Sequence, residues 1–262
     1  MDLGLKGKRA IVLGGTRGIG RAIAETLAAE GADVAICARN AGAVDDAVTE
    51  LGKHGGRALG GAVDITDADT LRSWIADIAT ELGGLDILVS NAGAMAQGND
   101  EEAWMQNFRL DVLGGAVAAF DAAKSFLIDA AGTRGDAAFV IISSVSAAES
   151  DSGGSYGPIK AALIHYAKGL ARQYAPKHVR VNVVSPGTVY FKGGVWNMVE
   201  ENMPEVFKSS LARNPMGRMA TPQDIANATV FLASPASSFT NRSVGVFFDI
   251  SMICSGVMLP TA

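Results

Sequence analysis

Short apolar runs alternate with longer stretches of helical periodicity along the chain, and this alternation limits the available folds more than any other feature. The strand-like runs are residues 10–13, 33–38, 57–63, 85–90, 137–143, 179–184 and 244–249. Helical patterns occupy 19–29, 43–53, 68–82, 101–131, 156–174 and, after a longer insertion, 222–233. Many of the runs are apolar throughout, as expected when a parallel sheet is covered on both faces. Alternating β and α units then argue for a doubly wound α/β fold, here with a seven-stranded parallel sheet and helices on both faces. A chain of 262 residues suits one large α/β domain or two small ones. No linker, low-complexity tract or internal repeat marks a second unit, so the expectation is one domain over 1–262, with an insertion at about 188–216.

Bulk properties narrow the function. Hydrophobic residues make up 48% of the chain, enough for a substantial core. The 22 basic and 27 acidic residues leave a net charge of −5, and no basic cluster suggests a nucleic-acid surface. No apolar run reaches the roughly 18–20 residues that span a bilayer, and the first residues lack the apolar core of a signal peptide. Cys37 and Cys254 lie in apolar runs and read as buried thiols, which fits a reducing cytoplasm. His54, His165 and His178 are scattered without ligand-like spacing, so no metal site is expected.

The first strand–helix junction reads Gly14-Gly15-Thr16-Arg17-Gly18-Ile19-Gly20. Glycines there let the backbone turn tightly and approach a pyrophosphate, and the following helix offers free N–H groups and the positive end of its dipole. A glycine-rich turn also serves as a plain tight connection, but at the first such junction of an alternating chain it favours a nucleotide. The second strand ends Ala38-Arg39 and lacks the acid that usually meets a ribose 2′-hydroxyl. Arg39 reads either as a solvated loop charge or, with Arg17, as a partner of a 2′-phosphate, and the phosphate is preferred. The expected cofactor is therefore NADP(H), with NAD(H) the alternative.

The segment 143–160 carries the chemistry. An apolar run ends in Ser143-Ser144, a loop of small residues follows, and a helix opens with Tyr156 and carries Lys160 four residues on. Positions i and i+4 share a helix face, and a neighbouring cation favours the phenolate form of a tyrosine. With a serine hydroxyl close by, the set suits proton transfer to or from an alcohol or carbonyl. Pro158 falls in the first helical turn, where proline is tolerated.

Taken together these motifs resemble the short-chain dehydrogenase/reductase family, and the likeness extends over about 5–249. Gly14, Gly18 and Gly20 match its cofactor turn, Asp64-Ile65 its adenine-contacting pair, and Ser90-Asn91-Ala92-Gly93 its Asn-Asn-Ala-Gly. Ser143-Ser144 match the strand with the catalytic serine, Tyr156 and Lys160 its Tyr-x-x-x-Lys, and Pro186-Gly187 the turn beside the nicotinamide. The resemblance implies a Rossmann-like domain in which Tyr156 is general base in oxidation and general acid in reduction. It further implies that Lys160 favours the phenolate and holds the nicotinamide ribose, and that a serine polarises the substrate oxygen. Hydride chemistry then belongs to the cofactor.

Several positions depart from the family pattern. Leu13 replaces a threonine, and Asp111 stands where many members have an asparagine that supports a proton relay to the lysine. An ionised aspartate accepts hydrogen bonds but donates none. Ser143 has the commoner spacing to Tyr156, whereas Ser144 directly precedes Val145 as the catalytic serine does in many relatives; Ser144 is preferred. Phe191 stands where relatives have a threonine touching the carboxamide, which transfers that contact to Thr188 and the backbone of Val189. Relatives that reduce enoyl groups carry the lysine further along, where this chain has Leu163.

The insertion leaves a strand end where ligands of such sheets sit. It reads as a lid, with Gly193-Gly194 as hinge and Trp196 as the preferred pocket wall. Met198, Met203 and Phe207 face either an apolar substrate or ordinary packing, and Met95, Gln97 and Glu149 are further lining candidates. An apolar pocket suits a cyclic, aromatic or fatty ketone or secondary alcohol. By resemblance the C-terminal strand and tail sit in a subunit contact, which makes a homo-oligomer, dimer or tetramer, the expected assembly. A non-catalytic dinucleotide-binding sensor or scaffold is the other function open to such a chain.

Overall fold

A computed structural model describes residues 1–96, 98–148 and 153–242, and the backbone of 244–247. The strands are β1 (Arg9–Leu13), β2 (Asp33–Ala38), β3 (Ala58–Ala62), β4 (Ile87–Ser90), β5 (Ala137–Ile142), β6 (Val179–Pro186) and β7 (Val244–Phe247). The helices are α1 (Gly18–Ala29), α2 (Ala41–Gly52), α3 (Ala68–Leu82), α4 (Glu101–Asn107), α5 (Ala119–Arg134), α6 (Tyr156–Tyr174), α7 (Val195–Asn202), α8 (Pro204–Arg213) and α9 (Pro222–Ala233). Among the described residues the strands form one seven-stranded sheet in the order β3-β2-β1-β4-β5-β6-β7, parallel throughout.

The period-two alternation of strand side chains divides the core into two layers. Ile11, Leu13, Phe139 and Ile141 point to the face covered by α3, α5 and α6, where Leu71, Ile75, Leu127 and Leu163 meet them. Val12, Ile36, Val89 and Val140 point to the opposite face, against Ile23 and Leu27 of α1, Leu51 of α2 and Ile225 and Val230 of α9. Arg180 of β6 is buried, and its guanidinium meets Asp136 at 2.7 and 3.0 Å. The same fork donates to the carbonyls of Leu232 and Ser234 at 2.6 and 3.1 Å and, with the Ser237 hydroxyl, closes the C-terminal end of α9.

The chain runs from β1 outward to β3 and then crosses back to β4, so the strand order reverses between β1 and β4. Ligands of open α/β sheets sit at the carboxyl ends beside such a reversal. Leu13 and Ser90 are paired in register there, which sets the glycine turn beside Asn91.

Three sequence-based spans need correction. The helix expected over 101–131 is composite: α4 passes into a π-helical segment, Phe108–Ala118, before α5. A Cβ on Gly114 would collide with the Ile65 carbonyl, so the glycine lets this segment press against the end of the β3–α3 connection. The insertion's helical pattern, expected as one run after Met198 through Leu211, is divided, because Pro204 starts α8 immediately after Met203. β6 extends through Pro186, which pairs in register with Phe247. Residues 248–249 of the last predicted strand lie outside the described residues, as do Gln97, Glu149 and Cys254.

Candidate active site

The first wall is the turn after β1. Gly14 and Gly18 have φ of +74° and +55°, a region that glycine enters without strain. Gly20 admits no side chain, since a Cβ would meet the Gly14 carbonyl and Asn91 Nδ2. Asn91 Nδ2 donates to the Gly14 carbonyl at 3.0 Å and ties the end of β4 to the turn. Ala92 packs against Gly14. Arg17 precedes α1 with no side-chain cap, and the first turn carries no acid. By contrast Asn40, Asp67, Asp100 and Thr221 cap α2, α3, α4 and α9. The leading amides of α1 are thus left for an anion. Thr16 and Ile19 are half-buried at this turn.

Lys160 is the electrostatic centre. Its ammonium is buried and stands 2.8 Å from Asp111 Oδ1, as an ion pair rather than an aligned hydrogen bond. It donates to the Ile142 carbonyl at 3.3 Å and lies 5.6 Å from the Tyr156 ring centroid. Burial alone would pull its pKa down, but the Asp111 carboxylate and then the Tyr156 phenol outweigh burial, so the net direction is above the usual lysine range. Asp111 reaches this position from the π-helical segment, and its Oδ2 accepts the Ala94 N–H at 3.1 Å. A Cβ on Gly93 would stand 2.9 Å from Asp111 Oδ1 and 3.4 Å from Lys160 Nζ, so bare backbone faces the pair.

The two serines separate by their bonds. Ser143 Oγ donates to the Lys160 carbonyl at 2.9 Å and is spent on holding α6. Ser144 Oγ accepts the Ser146 N–H at 3.2 Å, and among the described residues its own proton has no acceptor. Ser144 opens the short 3-10 turn Val145–Ala147, which packs on α6. Half-buried Tyr156 begins that helix. Sequence reasoning overlooked Asn107. It is fully buried, exchanges bonds with the Ala96 N–H and carbonyl at 3.0 Å each, and donates to Ser155 Oγ at 2.9 Å. It thereby braces the residue preceding Tyr156 against the loop after β4. The available signal was its position one helical turn before Asp111.

Toward the outer strands, Arg17 and Arg39 are both exposed, and Ile65 is buried. Asp64 accepts from Thr66 through backbone and hydroxyl at 3.0 and 2.8 Å. Those bonds, aided by Arg39, hold its pKa below the usual carboxylate range. At the far side Pro186 ends β6, Gly187 follows, and buried Val189 bridges to Ala220. Ser185 Oγ is buried beside this turn with no partner among the described residues. The Phe191 ring is wedged between two glycines: a Cβ on Gly18 would stand 2.5 Å from it, and one on Gly194 2.8 Å. Trp196 is the second residue of α7 and half-buried. Met198 and Met203 are largely exposed, whereas Phe207 packs edge-on to Tyr190, ring centroids 5.9 Å apart. Met95, at φ +55°, is partly exposed. Among the described residues no group of His, Cys, Asp and Glu is arranged to hold a metal.

The Tyr156 ring and the buried Lys160 ammonium thus face each other next to the bare backbone of Gly93, and Asn91 of the same segment is tied to the anion-ready glycine turn. The cradle fits a dinucleotide, since no glycine of the turn could carry a side chain without disturbing its neighbours. Residues 14–246 match the family model described as enoyl-(acyl carrier protein) reductase. The isoepoxydon dehydrogenase of Penicillium expansum is 35% identical over 246 residues, 92% of this chain and 93% of that protein. Cis-4-hydroxycyclohexanecarboxylate dehydrogenase of Sinomonas cyclohexanicum is 36% identical over 236 residues, 88% and 90% of the two chains. Among solved structures, L-sorbose reductase of Gluconobacter frateurii, complexed with NADPH and L-sorbose, has a TM-score of 0.85 at 29% identity and covers 95% of this chain and 98% of its own. Fold and site define an oxidoreductase of alcohols and carbonyls. The chain belongs to the short-chain dehydrogenase/reductase family.

Proposed function

We propose that this chain, as one dinucleotide-binding domain over 1–262 with a substrate insertion at about 188–216, passes a hydride between a nicotinamide and an apolar or cyclic secondary alcohol or ketone. The observation that carries this reading is the buried Lys160 ammonium held between Asp111 and the Ile142 carbonyl beside Tyr156. In this reading Tyr156 exchanges the proton of the substrate oxygen, Ser144 donates a hydrogen bond to that oxygen, and Lys160 keeps a positive charge under both. Gly14, Thr16, Arg17, Gly18, Ile19 and Gly20 receive the diphosphate, Asp64 and Ile65 the adenine. Asn91, Ala92, Gly93 and Lys160 hold the nicotinamide side with Pro186, Gly187 and Val189, and the cofactor supplies the hydride when bound. Trp196 faces the substrate. A relative named for a hydroxycyclohexane carboxylate and a neighbour that holds L-sorbose support cyclic or polyhydroxy alcohols as the first panel to test. Turnover of any member, read from nicotinamide absorbance, supports an enzyme; silence across the panel with intact NADPH binding supports a sensor or scaffold.

The cofactor of choice is NADP(H), with NAD(H) second. Arg17 and Arg39 are exposed cations beside the turn, and Arg39 lies close enough to Asp64 to act on its charge. Arg39→Asp is expected to raise the Kd for NADPH about tenfold or more while sparing NADH, because it exchanges a phosphate-binding guanidinium for a repelling carboxylate. Equal affinity of the unmodified protein for both cofactors overturns the assignment.

The assembly is a homo-oligomer in the cytoplasm. Phe108, Leu113 and Val117 are 38%, 43% and 36% exposed. Their spacings of five and four match the wider winding of the π-helical segment, so they share a face. Burial pushes the Cys37 thiol up to about 12, which leaves it protonated and inert. Sedimentation is expected to give a dimer or tetramer at micromolar concentration; a lone 27.0 kDa species overturns this. No described helix is long and apolar enough to cross a membrane.

A further inference from the structure

We propose that Asp111 is a positioning residue that clamps the Lys160 side chain and keeps its buried ammonium charged, extending the working range of the site into alkaline solution. The inference rests on the reading of Tyr156 and Lys160 as the proton-transfer pair and adds how their charge is maintained.

The geometry is specific. Both partners are nearly inaccessible, 2% and 4% exposed, and they meet at 2.8 Å. An ammonium sealed from water is strongly disfavoured unless a counter-charge or aligned acceptors replace its hydration. Lys160 has one neutral acceptor, the Ile142 carbonyl at 3.3 Å, and one charge, Asp111. Asp111 is itself anchored, because the Ala94 N–H fixes Oδ2 at 3.1 Å and leaves Oδ1 for the lysine. The clamp therefore joins the loop after β4 to α6 through a carboxylate on the π-helical segment. An asparagine of the same size would preserve the shape and remove the charge.

Among the described residues the surroundings offer Lys160 no substitute counter-ion. From its own helix Tyr156 faces it, and from β5 only backbone does. Arg180, the charged side chain of β6, is committed to Asp136. The 3-10 turn Val145–Ala147 has no titratable side chain, and Glu101 and Glu102 of α4 are exposed. With Asp111 ionised, the counter-charge outweighs burial and Lys160 keeps its proton beyond the usual lysine range. With that charge removed, only Tyr156 opposes burial and the proton leaves at lower pH.

The test compares the full-length protein with Asp111→Asn and Asp111→Glu. Lysine labelled with ¹³C at Cε allows the Lys160 signal, assigned by its loss in Lys160→Met, to be followed through alkaline titration. In the unmodified protein it is expected to titrate after the exposed lysines. In Asp111→Asn it is expected to titrate before them. The rate of alcohol oxidation in Asp111→Asn, relative to the unmodified protein, should fall as pH rises from about 7, approaching a loss of about tenfold once the pH exceeds both lysine ionisations, the limit for a displacement of about one unit. Asp111→Glu should restore most of the alkaline activity. A rate ratio independent of pH overturns the proposal. So does a Lys160 signal in the unmodified protein that titrates at or below the exposed lysines, a result that needs no foldable variant. If no alcohol or ketone is turned over, the proposed function fails while the titration still decides the role of Asp111.

Discussion

Tyr156→Phe is expected to lower kcat by about 10³-fold with Kd for NADPH within about twofold. Removing a general acid–base group in place typically costs 10²–10⁴-fold, and this substitution deletes one oxygen without changing the ring. The ring's contact with Lys160 survives, since that contact is to its face at 5.6 Å and not to the hydroxyl. The loop anchor through Asn107 and Ser155 survives as well. Initial rates on the best substrate of the panel, with fluorescence titration of NADPH, give both numbers. A loss below about tenfold would mean that another group moves the proton.

Gly20→Ala should abolish useful cofactor affinity and weaken the fold together. One methyl on Gly20 has no room: it strikes the Gly14 carbonyl and the Asn91 amide that bonds to it. Overpacking of this kind costs about 1–3 kcal/mol, and relief requires the turn to move away from the end of β4. We expect the urea midpoint to fall accordingly and Kd for NADPH to rise at least about tenfold, since the displaced amides are those offered to the diphosphate. Gly169→Ala is the matched control. Gly169 lies exposed within α6 with no atom near its would-be Cβ, so alanine there should be neutral or stabilising by about 0.5–1 kcal/mol. Equal effects at the two glycines would show that Gly20 is not a point of close approach.

Much of this architecture was legible because a parallel sheet covered on both sides writes itself as uninterrupted apolar runs. Runs such as 10–13 and 137–143 mark strands buried on both faces, without choosing their partners. The π-helical segment was hidden because apolar and small residues dominate Phe108–Ala118 and leave no clear period to read; its trace was Gly114-Gly115, which local propensity treats only as a weak spot. Asn107 was missed for a related reason. A polar residue on a helix reads as solvent-facing until the fold delivers backbone groups for it to satisfy. Ser143 and Ser144 could not be separated by spacing, whereas the Lys160 carbonyl separates them by occupying one hydroxyl. Pro204 marked the break between α7 and α8, but a proline at a first turn and a proline inside a helix look alike until the preceding residue's backbone is seen.

The aromatic wedge at Phe191 has a practical corollary for engineering. Transplanting a lid from a kindred enzyme that bears threonine at this point would leave a hollow above the glycine bend at Gly18, and any bulk added at Gly18 or Gly194 would evict the ring. Swaps intended to alter substrate choice will therefore disturb dinucleotide affinity as well, unless residues 18, 191 and 194 travel as a set.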